Sequence, residues 1–187
     1  MNFTIDSAIE ALNTGGVGVF PTDTLYGLVA RALDIDAVNR VYKLKNRSDG
    51  KPFIILISSI DDLSILKISI DEKTKTFLST VWPGLVSVIL PCEDNGLSYL
   101  HSGMDLAIRL PNNEILINLI KETGPIVAPS ANPEGLKPAS NINEAKEYFG
   151  DNVEFYVDGG ILDGEPSTLL SIKDGEIKVL RQGRFKI

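Results

Sequence analysis

The sequence predicts an α/β fold in a single domain, with a mixed sheet flanked by helices. Apolar runs of strand length alternate with segments of helical periodicity along the chain, and this alternation is typical of strands joined by helices. Near the end, two apolar runs flank the polar segment Lys173-Asp174-Gly175-Glu176, which predicts a hairpin and therefore an antiparallel strand pair. A length of 187 residues with 43% hydrophobic residues fits one compact domain over residues 1–187.

Capping residues place the predicted helices in order. Ser7 and Glu10 have the spacing of a capping box, and Gly15 ends the helix that they begin. Asp36 and Asn141 are predicted N-caps of two later helices. The predicted helices cover residues 7–14, 36–45, 72–80, 114–123 and 141–149. The predicted strands cover residues 17–20, 53–57, 85–90, 106–109, 126–128, 169–172 and 177–181.

Composition excludes several classes of protein. The only cysteine is Cys92 and the only histidine is His101, so neither an internal disulfide nor a Cys/His metal cluster can form. The longest apolar runs, such as residues 53–57 and 86–90, are far shorter than the ~20 residues of a membrane span. The N-terminus lacks a basic region followed by an apolar core and does not resemble a secretory signal. We therefore expect a cytoplasmic protein without a membrane segment.

A cluster of basic residues stands out, because the whole chain has a net charge of -7. Lys43, Lys45, Arg47 and Lys51 lie within nine positions at the end of a predicted helix. Fixed ammonium and guanidinium donors suit the phosphates of a nucleotide, with arginine supplying bidentate geometry. The alternative is a solvated helix end whose cations interact with the helix dipole, which contributes only ~0.3 to 1 kcal/mol each.

Polar residues also follow two predicted strands. Ser130 and Asn132 come directly after the strand at residues 126–128, and ligands of open α/β sheets bind outside the carboxyl ends of strands. The same residues are also typical of a simple turn. Arg109 ends another apolar strand, so its guanidinium group could hold a ligand carboxylate in the same cleft. Alternatively, Arg109 is a surface arginine that extends its charge into solvent.

Three segments together resemble the YrdC-like family, the L-threonylcarbamoyladenylate synthases. They are residues 21–28 with the sequence Pro-Thr-Asp-Thr-Leu-Tyr-Gly-Leu, Lys45-Asn46-Arg47, and Ser130-Ala131-Asn132. Further pieces follow in the family order: Trp82-Pro83-Gly84, Ala107-Ile108-Arg109-Leu110-Pro111, Asp158-Gly159-Gly160, Ser167-Thr168 and Leu180-Arg181-Gln182-Gly183. The resemblance covers nearly the whole chain. It implies the short form of the family, with a central ligand cleft and no additional C-terminal domain.

The resemblance implies a nucleotidyl transfer in which ATP, L-threonine and bicarbonate give threonylcarbamoyl-AMP and pyrophosphate, for the threonylcarbamoyladenosine modification of tRNA. It assigns catalysis to Lys45 and Arg47. It assigns ATP binding to Lys45, Arg47, Ser130, Asn132 and Arg181, and L-threonine binding to Thr24, Arg109 and Ser167. Lys51, from the basic cluster, is also expected to bind ATP. Mg²⁺ is expected to bind mainly through ATP, without a dedicated metal site on the protein. The expected partners are downstream tRNA threonylcarbamoyl transferase proteins, and direct contact with tRNA is not required.

Four positions depart from the family pattern. Leu56 replaces a histidine that touches the amino acid, Asp23 replaces a glutamate, Pro166 an acidic residue and Gln182 a proline. These departures concern amino-acid recognition and leave the phosphate-binding signature intact. Two alternative functions stay open on the sequence: a family relative that uses a different carbamoyl or acyl adenylate, and a non-catalytic RNA-binding module. The second has against it the acidic composition and the 7% share of aromatic residues.

Overall fold

The structure is a computed structural model that describes residues 4–47, 53–92, 94–100, 105–173 and 176–186. Its helices are α1 (Ile5–Asn13), α2 (Ile35–Leu44), α3 (Glu72–Val81), α4 (Glu114–Thr123) and α5 (Ile142–Phe149). Its strands are β1 (Gly18–Pro21), β2 (Tyr26–Arg31), β3 (Ile54–Leu56), β4 (Val86–Pro91), β5 (Asp105–Arg109), β6 (Ile126–Val127), β7 (Phe155–Tyr156), β8 (Thr168–Lys173) and β9 (Glu176–Arg181). No helix in these ranges is both long and apolar enough to cross a membrane.

The strands form one mixed sheet in the order β7-β1-β2-β6-β3-β5-β4-β8-β9. The pairs β1–β7, β3–β5 and β4–β8 are parallel, and the other neighbouring pairs are antiparallel. The predicted mixed sheet is therefore confirmed. The predicted hairpin is confirmed as β8–β9, which closes with the pair Lys173 and Glu176. The turn residues 174–175 lie outside the described residues.

Two apolar clusters cover the two faces of the sheet. In β3, Ile55 belongs to the larger cluster with residues of α2, α3 and α5, whereas Leu56 belongs to the smaller cluster with residues of α1 and α4. Successive side chains of a strand point to opposite faces, so α1 and α4 pack on one face and the other helices on the second. Both clusters consist largely of residues with almost no exposed surface.

The structure corrects two predicted helix starts. Thr4, not Ser7, caps α1, because the Thr4 side chain accepts the backbone N–H of Ser7. Asp34, not Asp36, caps α2 by accepting the N–H of Ala37. Both regions contain several residues that can cap a helix within three positions, and only the backbone path selects one of them. The predicted cap Asn141 is confirmed, since its side chain accepts the N–H groups of residues 143 and 144.

Two strands were not predicted. The strand β2 is buried over nearly its whole length, so it lacks the alternation of apolar and polar residues that marks a half-exposed strand. The strand β7 is only two residues long. The missing β2 matters for the site, because it pairs with both β1 and β6 and so connects the 21–28 segment to the segment that carries Ser130.

Candidate active site

A cleft of about 890 Å³ opens on the sheet face that α1 and α4 cover only in part. Its floor contains Ile54, Ala107 and Ile89. Ala107 pairs in register with Ile54 on one side and with Ile89 on the other, so the three side chains form an apolar row across adjacent strands. The walls come from loops at the strand ends, and those loops carry the polar residues of the cleft.

The turn between β1 and β2 forms one wall. Thr22 organises it, because its hydroxyl oxygen accepts the N–H groups of Thr24 and Leu25 and its hydroxyl group lies 2.7 Å from the carbonyl oxygen of Leu25. The hydroxyl oxygens of Thr22 and Thr24 are 3.0 Å apart. The Thr24 side chain is therefore held in place and lines the cleft.

Arg109, at the end of β5, forms a buried ion pair with this turn. Its Nη1 donates to Oδ1 of Asp23 at 2.6 Å, and the other carboxylate oxygen accepts the backbone N–H of Asn112. Arg109 is only 4% exposed, yet its Nε has no hydrogen-bond partner within the described residues. Buried donors are normally satisfied. An unsatisfied N–H on a buried guanidinium group that lines a cleft therefore indicates a place for an anionic ligand.

Ser167 also lines the cleft and is held by contacts with two other residues. Its hydroxyl oxygen lies 2.8 Å from that of Ser87 on β4, and both residues are buried. Arg181 donates from Nη2 to the Ser167 carbonyl oxygen at 2.9 Å. Burial and the nearby charge of Arg109 lower the pKa of Arg181. Two guanidinium groups thus face the same part of the cleft.

The end of α2 explains the spacing of Lys45 and Arg47. Asn46 adopts a left-handed conformation with φ of 49°, and the N–H groups of Asn46 and Arg47 bond to the carbonyls of Lys43 and Tyr42. This is a Schellman ending. It reverses the chain so that Lys45 points inwards while Arg47 lines the cleft, where its guanidinium carbon lies 5.1 Å from the centre of the Phe53 ring.

Lys45 is 2% exposed and does not line the cleft. Its Nζ donates to the carbonyl oxygens of Ser130 and Asn132 at 2.5 and 2.6 Å, with Oδ1 of Asn132 at 3.5 Å. The Lys45 carbonyl in turn accepts the N–H of Glu134. Lys45 therefore ties the end of α2 to the loop after β6. Burial, and secondly the charge of Arg47, lower the pKa of Lys45 to about 8.

The loop after β6 has its own internal network. The Ser130 hydroxyl donates to Oδ1 of Asn132 at 2.6 Å, and the Asn132 amide group donates to the carbonyls of Pro133 and Leu136. Asn132 is buried and does not line the cleft, whereas Ser130 does. Because its proton is directed at Asn132, the Ser130 hydroxyl presents oxygen lone pairs to the cleft and suits a donor such as an N–H group or a water molecule.

The structure thus brings most of the predicted site residues to one cleft: Thr24, Arg47, Arg109, Ser130, Ser167 and Arg181 line it. Lys45 and Asn132 do not line the cleft, but their hydrogen bonds hold the loop after β6 in place. Lys51 lies outside the described residues. Leu56 is fully buried and does not line the cleft.

Several residues of the cleft were not predicted. Lys137 and Ser140 line it from the loop after β6, and Asp163 and Glu165 line it from the segment before β8. Lys137 follows Asn132 in the same strand-end loop, so it could have been predicted as a site residue for the same reason as Ser130 and Asn132. The partnership of Arg109 with Asp23 had no local signal, because the two residues are 86 positions apart in the sequence.

Comparison with known proteins identifies the family of the chain. The family model named Sua5/YciO/YrdC, described as telomere recombination, matches residues 10–183. The chain belongs to this family. It is 37% identical over 183 residues to the threonylcarbamoyl-AMP synthase of Bacillus subtilis, which covers 96% of this chain and 53% of the relative. It is 32% identical over 181 residues to the threonylcarbamoyl-AMP synthase of Hahella chejuensis, which covers 95% of this chain and 97% of that relative.

A crystal structure of Pyrococcus abyssi Sua5 complexed with L-threonine superposes with a TM-score of 0.86 at 33% identity, over 96% of this chain and 54% of that chain. The family fold expected from the sequence is therefore confirmed. The chain spans about half the length of the Bacillus and Pyrococcus relatives, 53% and 52% respectively.

Proposed function

We propose that the chain is a threonylcarbamoyl-AMP synthase, which converts ATP, L-threonine and bicarbonate into threonylcarbamoyl-AMP and pyrophosphate. The observation that carries the proposal is the buried Arg109, whose Nε–H has no partner within the described residues, in a cleft that Arg47 also lines. One cation suits the carboxylate of an amino acid, and the other suits the phosphates of a nucleotide. Relatives that bear this enzyme's name support the assignment.

The amino-acid half of the site comprises Arg109, Thr24 and Ser167. The planar guanidinium group of Arg109 would bind the threonine carboxylate, because Asp23 bonds only to its Nη1. Thr24 and Ser167 are held by hydrogen bonds of their own, so they would meet the ligand without losing much side-chain freedom. The apolar row of Ile54, Ala107 and Ile89 would contact the apolar part of the substrates.

The nucleotide half comprises Arg47 and Ser130, with Arg181 assigned to the nucleotide by family resemblance. Lys137, in the same lining, adds a further cation. We propose that Lys45 acts from beneath by holding the carbonyls of Ser130 and Asn132, in place of the direct phosphate contact that the sequence suggested. Asn132 would act in the same indirect way. Lys51 stays a proposed phosphate ligand.

Magnesium would accompany ATP. In the described part of the chain, no cluster of three or more histidine, cysteine or carboxylate side chains can hold a metal ion. Asp163 and Glu165 line the cleft and fit an ion that keeps its waters and binds through ATP oxygens. When bound, such an ion would neutralise part of the triphosphate charge.

The proposed reaction begins when bicarbonate gives carbon dioxide and hydroxide. The amine of threonine then adds to the carbon dioxide and forms a carbamate, and the proton that it loses combines with the hydroxide to give water. A carbamate oxygen then attacks the α-phosphorus of ATP, a new phosphorus–oxygen bond forms, and the bond to the β-phosphate breaks to release pyrophosphate. The reaction needs no protein nucleophile. Catalysis would rest on the positioning of the two substrates and on stabilisation of the phosphate charge by Arg47, with Lys45 adding its charge from beneath.

The decisive experiment identifies the products by mass spectrometry. The protein is incubated with ATP, Mg²⁺, bicarbonate and a mixture of amino acids. We expect pyrophosphate and threonylcarbamoyl-AMP, with no product when bicarbonate is left out. Formation of ADP and orthophosphate would overturn the assignment of attack at the α-phosphate.

A matched pair of variants tests the nucleotide half. Arg47→Ala removes a charge-assisted donor, and such bonds contribute ~1.5 to 3 kcal/mol each, so turnover should fall at least about tenfold with the fold preserved. Lys43→Ala removes an exposed cation from the same helix end and should leave turnover unchanged. Equal turnover rates of Arg47→Ala and the wild type would show that Arg47 is a solvated loop residue and not a phosphate ligand.

A second candidate is the same reaction with a different amino acid. Leu56 favours it, because this residue replaces the family histidine and lies buried in the apolar cluster rather than in the cleft. The amino-acid mixture decides between the two, since the carbamoyl adenylate with the largest yield identifies the substrate. A non-catalytic RNA-binding module is not favoured, because the net charge is -7 and the relatives are named as synthases.

The remaining proposals concern the cellular setting. The product is a labile anhydride, so a transferase that carries it to tRNA must follow, and the protein need not contact tRNA itself. We propose a cytoplasmic location, where ATP and tRNA are available. We also propose that residues 1–187 work as one domain, in keeping with the match over 97% of the Hahella chejuensis relative.

A further inference from the structure

We propose that Tyr26 is a positioning residue whose hydroxyl group fixes the segment of residues 158–166 across the cleft and thereby sets the affinity for the amino-acid substrate. The identity of that substrate rests on the proposed function. The anchoring itself rests on contacts between Tyr26 and the segment, and these do not depend on which ligand binds.

The Tyr26 hydroxyl makes two short hydrogen bonds to the start of the segment. It donates to the carbonyl oxygen of Gly160 at 2.8 Å and accepts the N–H of Gly159, also at 2.8 Å. Oδ1 of Asp158 lies 3.4 Å from the hydroxyl and accepts the N–H of Gly160 at 2.9 Å. Tyr26 itself has no exposed surface, whereas residues 158–160 are exposed, so the bonds join a buried hydroxyl group to an exposed part of the segment.

The glycines of the segment show how closely it lies against the β1–β2 turn. A Cβ on Gly159 would lie 2.4 Å from Cβ of Pro21, and a Cβ on Gly164 would lie 2.5 Å from the carbonyl oxygen of Thr24. Gly160 has φ of 77°, which favours glycine. The segment therefore approaches the Thr24 turn at two separate points, and Tyr26 anchors the first of them.

This segment forms much of one wall of the cleft. Residues 162–166 line the cleft and lead directly into Ser167. No helix or strand is assigned between residues 157 and 167, so no regular ladder of hydrogen bonds holds the segment. Besides Tyr26, it is held by the bonds from Leu162 N–H to the Ser140 carbonyl and from Arg184 N–H to the Pro166 carbonyl.

Tyr26 fits a positioning role better than direct contact with a ligand. Its hydroxyl proton is used by Gly160, and one oxygen lone pair is used by Gly159. Burial raises the pKa of Tyr26, so the hydroxyl keeps its proton at neutral pH and remains a donor. A substrate would therefore sense Tyr26 mainly through the position of the segment.

The test compares two tyrosine variants. Tyr26→Phe keeps the ring and removes the anchor. Tyr156→Phe is the matched control, since its hydroxyl also donates to a glycine carbonyl, that of Gly150 at 2.7 Å, but does not line the cleft. Hydrogen exchange of the ligand-free proteins, followed by mass spectrometry of peptides that cover residues 158–166, measures the anchoring. Steady-state kinetics measure KM for the amino acid and kcat.

We expect Tyr26→Phe to accelerate exchange in residues 158–166 and to raise KM for the amino acid about three- to tenfold, with the affinity for an ATP analogue measured without Mg²⁺ nearly unchanged. Tyr156→Phe should change neither exchange in that segment nor KM. Unchanged exchange with a raised KM would mean that Tyr26 contacts the substrate directly and would overturn the proposal. Faster exchange with an unchanged KM would also overturn it.

The outcome is separable from the proposed function. If the wild type forms no carbamoyl adenylate from any amino acid, the proposed function fails, whereas the exchange experiment still reports on the anchor. Binding of L-threonine or ATP analogue, measured by calorimetry, then replaces KM. Equal affinities of Tyr26→Phe and the wild type for both ligands would end the claim that the anchored segment controls binding.

Discussion

Lys45 and Arg109 are both buried cations beside the same cleft, with 2% and 4% of their surface exposed. The Lys45 ammonium group directs its protons at oxygen atoms of Ser130 and Asn132. Arg109 gives one nitrogen to Asp23 and keeps Nε without a partner in the described part of the chain. Burial of charge alone therefore does not mark a ligand site. The satisfied cation supports the cleft, and we expect the unsatisfied one to bind a ligand.

The largest effect is expected at the satisfied cation. Lys45→Met keeps the length of the side chain but leaves the carbonyl oxygens of Ser130 and Asn132 without their donor, and each such loss costs about 1 to 3 kcal/mol. We expect the free energy of unfolding to fall by about 2 to 4 kcal/mol, measured by denaturant titration. Lys43→Met, at an exposed position of the same helix, should change it by less than about 0.5 kcal/mol. Equal stability of the two variants would show that the Lys45 network is not structural.

Arg109→Lys tests the unsatisfied cation. The charge stays, but the planar fork that fits a carboxylate is lost, so the affinity for L-threonine should fall at least about tenfold, or about 1.4 kcal/mol. Calorimetry should show nearly constant affinity for a non-hydrolysable ATP analogue. The control is Arg40→Lys, which alters an exposed pair with Glu154 and should change neither affinity. Loss of nucleotide binding with threonine affinity intact would move Arg109 to the phosphate half.

A pH titration tests whether the charge of Lys45 contributes to nucleotide binding. The pKa of Lys45 is lowered to about 8, so its charge is lost as the pH rises through that value. A polyanion favours the charged form, and its affinity should therefore fall above pH 8 by at most tenfold per pH unit. Calorimetric titration with an ATP analogue between pH 7 and 9.5 measures this, and the dependence should disappear in Lys45→Met. A flat profile for the wild type would separate Lys45 from nucleotide binding.

The smallest effect is expected at Ser87 on β4, whose hydroxyl oxygen lies 2.8 Å from that of Ser167. Ser87→Ala removes one buried hydrogen bond, which contributes about 1 kcal/mol, so threonine affinity should fall about fivefold while ATP-analogue affinity stays constant. Ser79→Ala, at an exposed helix position, serves as the control. If both affinities fall together, Ser87 supports the whole cleft rather than Ser167.

The sequence predicted which residues line the cleft better than it predicted the hydrogen bonds and ion pairs that these residues form. Arg109, Ser130 and Ser167 could be found because each follows or precedes a recognisable strand or matches a family motif. The burial of Lys45 could not, since the Schellman turn at Asn46 that directs it inwards depends on φ at one residue. The pairs of Arg109 with Asp23 and of Ser87 with Ser167 join positions 86 and 80 residues apart, and only the three-dimensional path brings them together.

The same limits apply to the fold. The hairpin of β8 and β9 was predictable because a polar turn separates two apolar runs, and Asn141 because it is a cap-forming residue directly before its helix. The strand β2 was missed because burial over nearly its whole length removes the alternating pattern. Thr4 and Asp34 were missed because neighbouring polar residues fit the capping role equally well.

The apolar row of Ile54, Ala107 and Ile89 bears on the lifetime of the product. A carbamoyl adenylate is a mixed anhydride that water destroys, and water gains no hydrogen bonds from hydrocarbon side chains. A product that rests on this row is therefore shielded from hydrolysis on one side while it remains bound. Under the proposed function, the apolar floor of the cleft would therefore slow hydrolysis of the bound product.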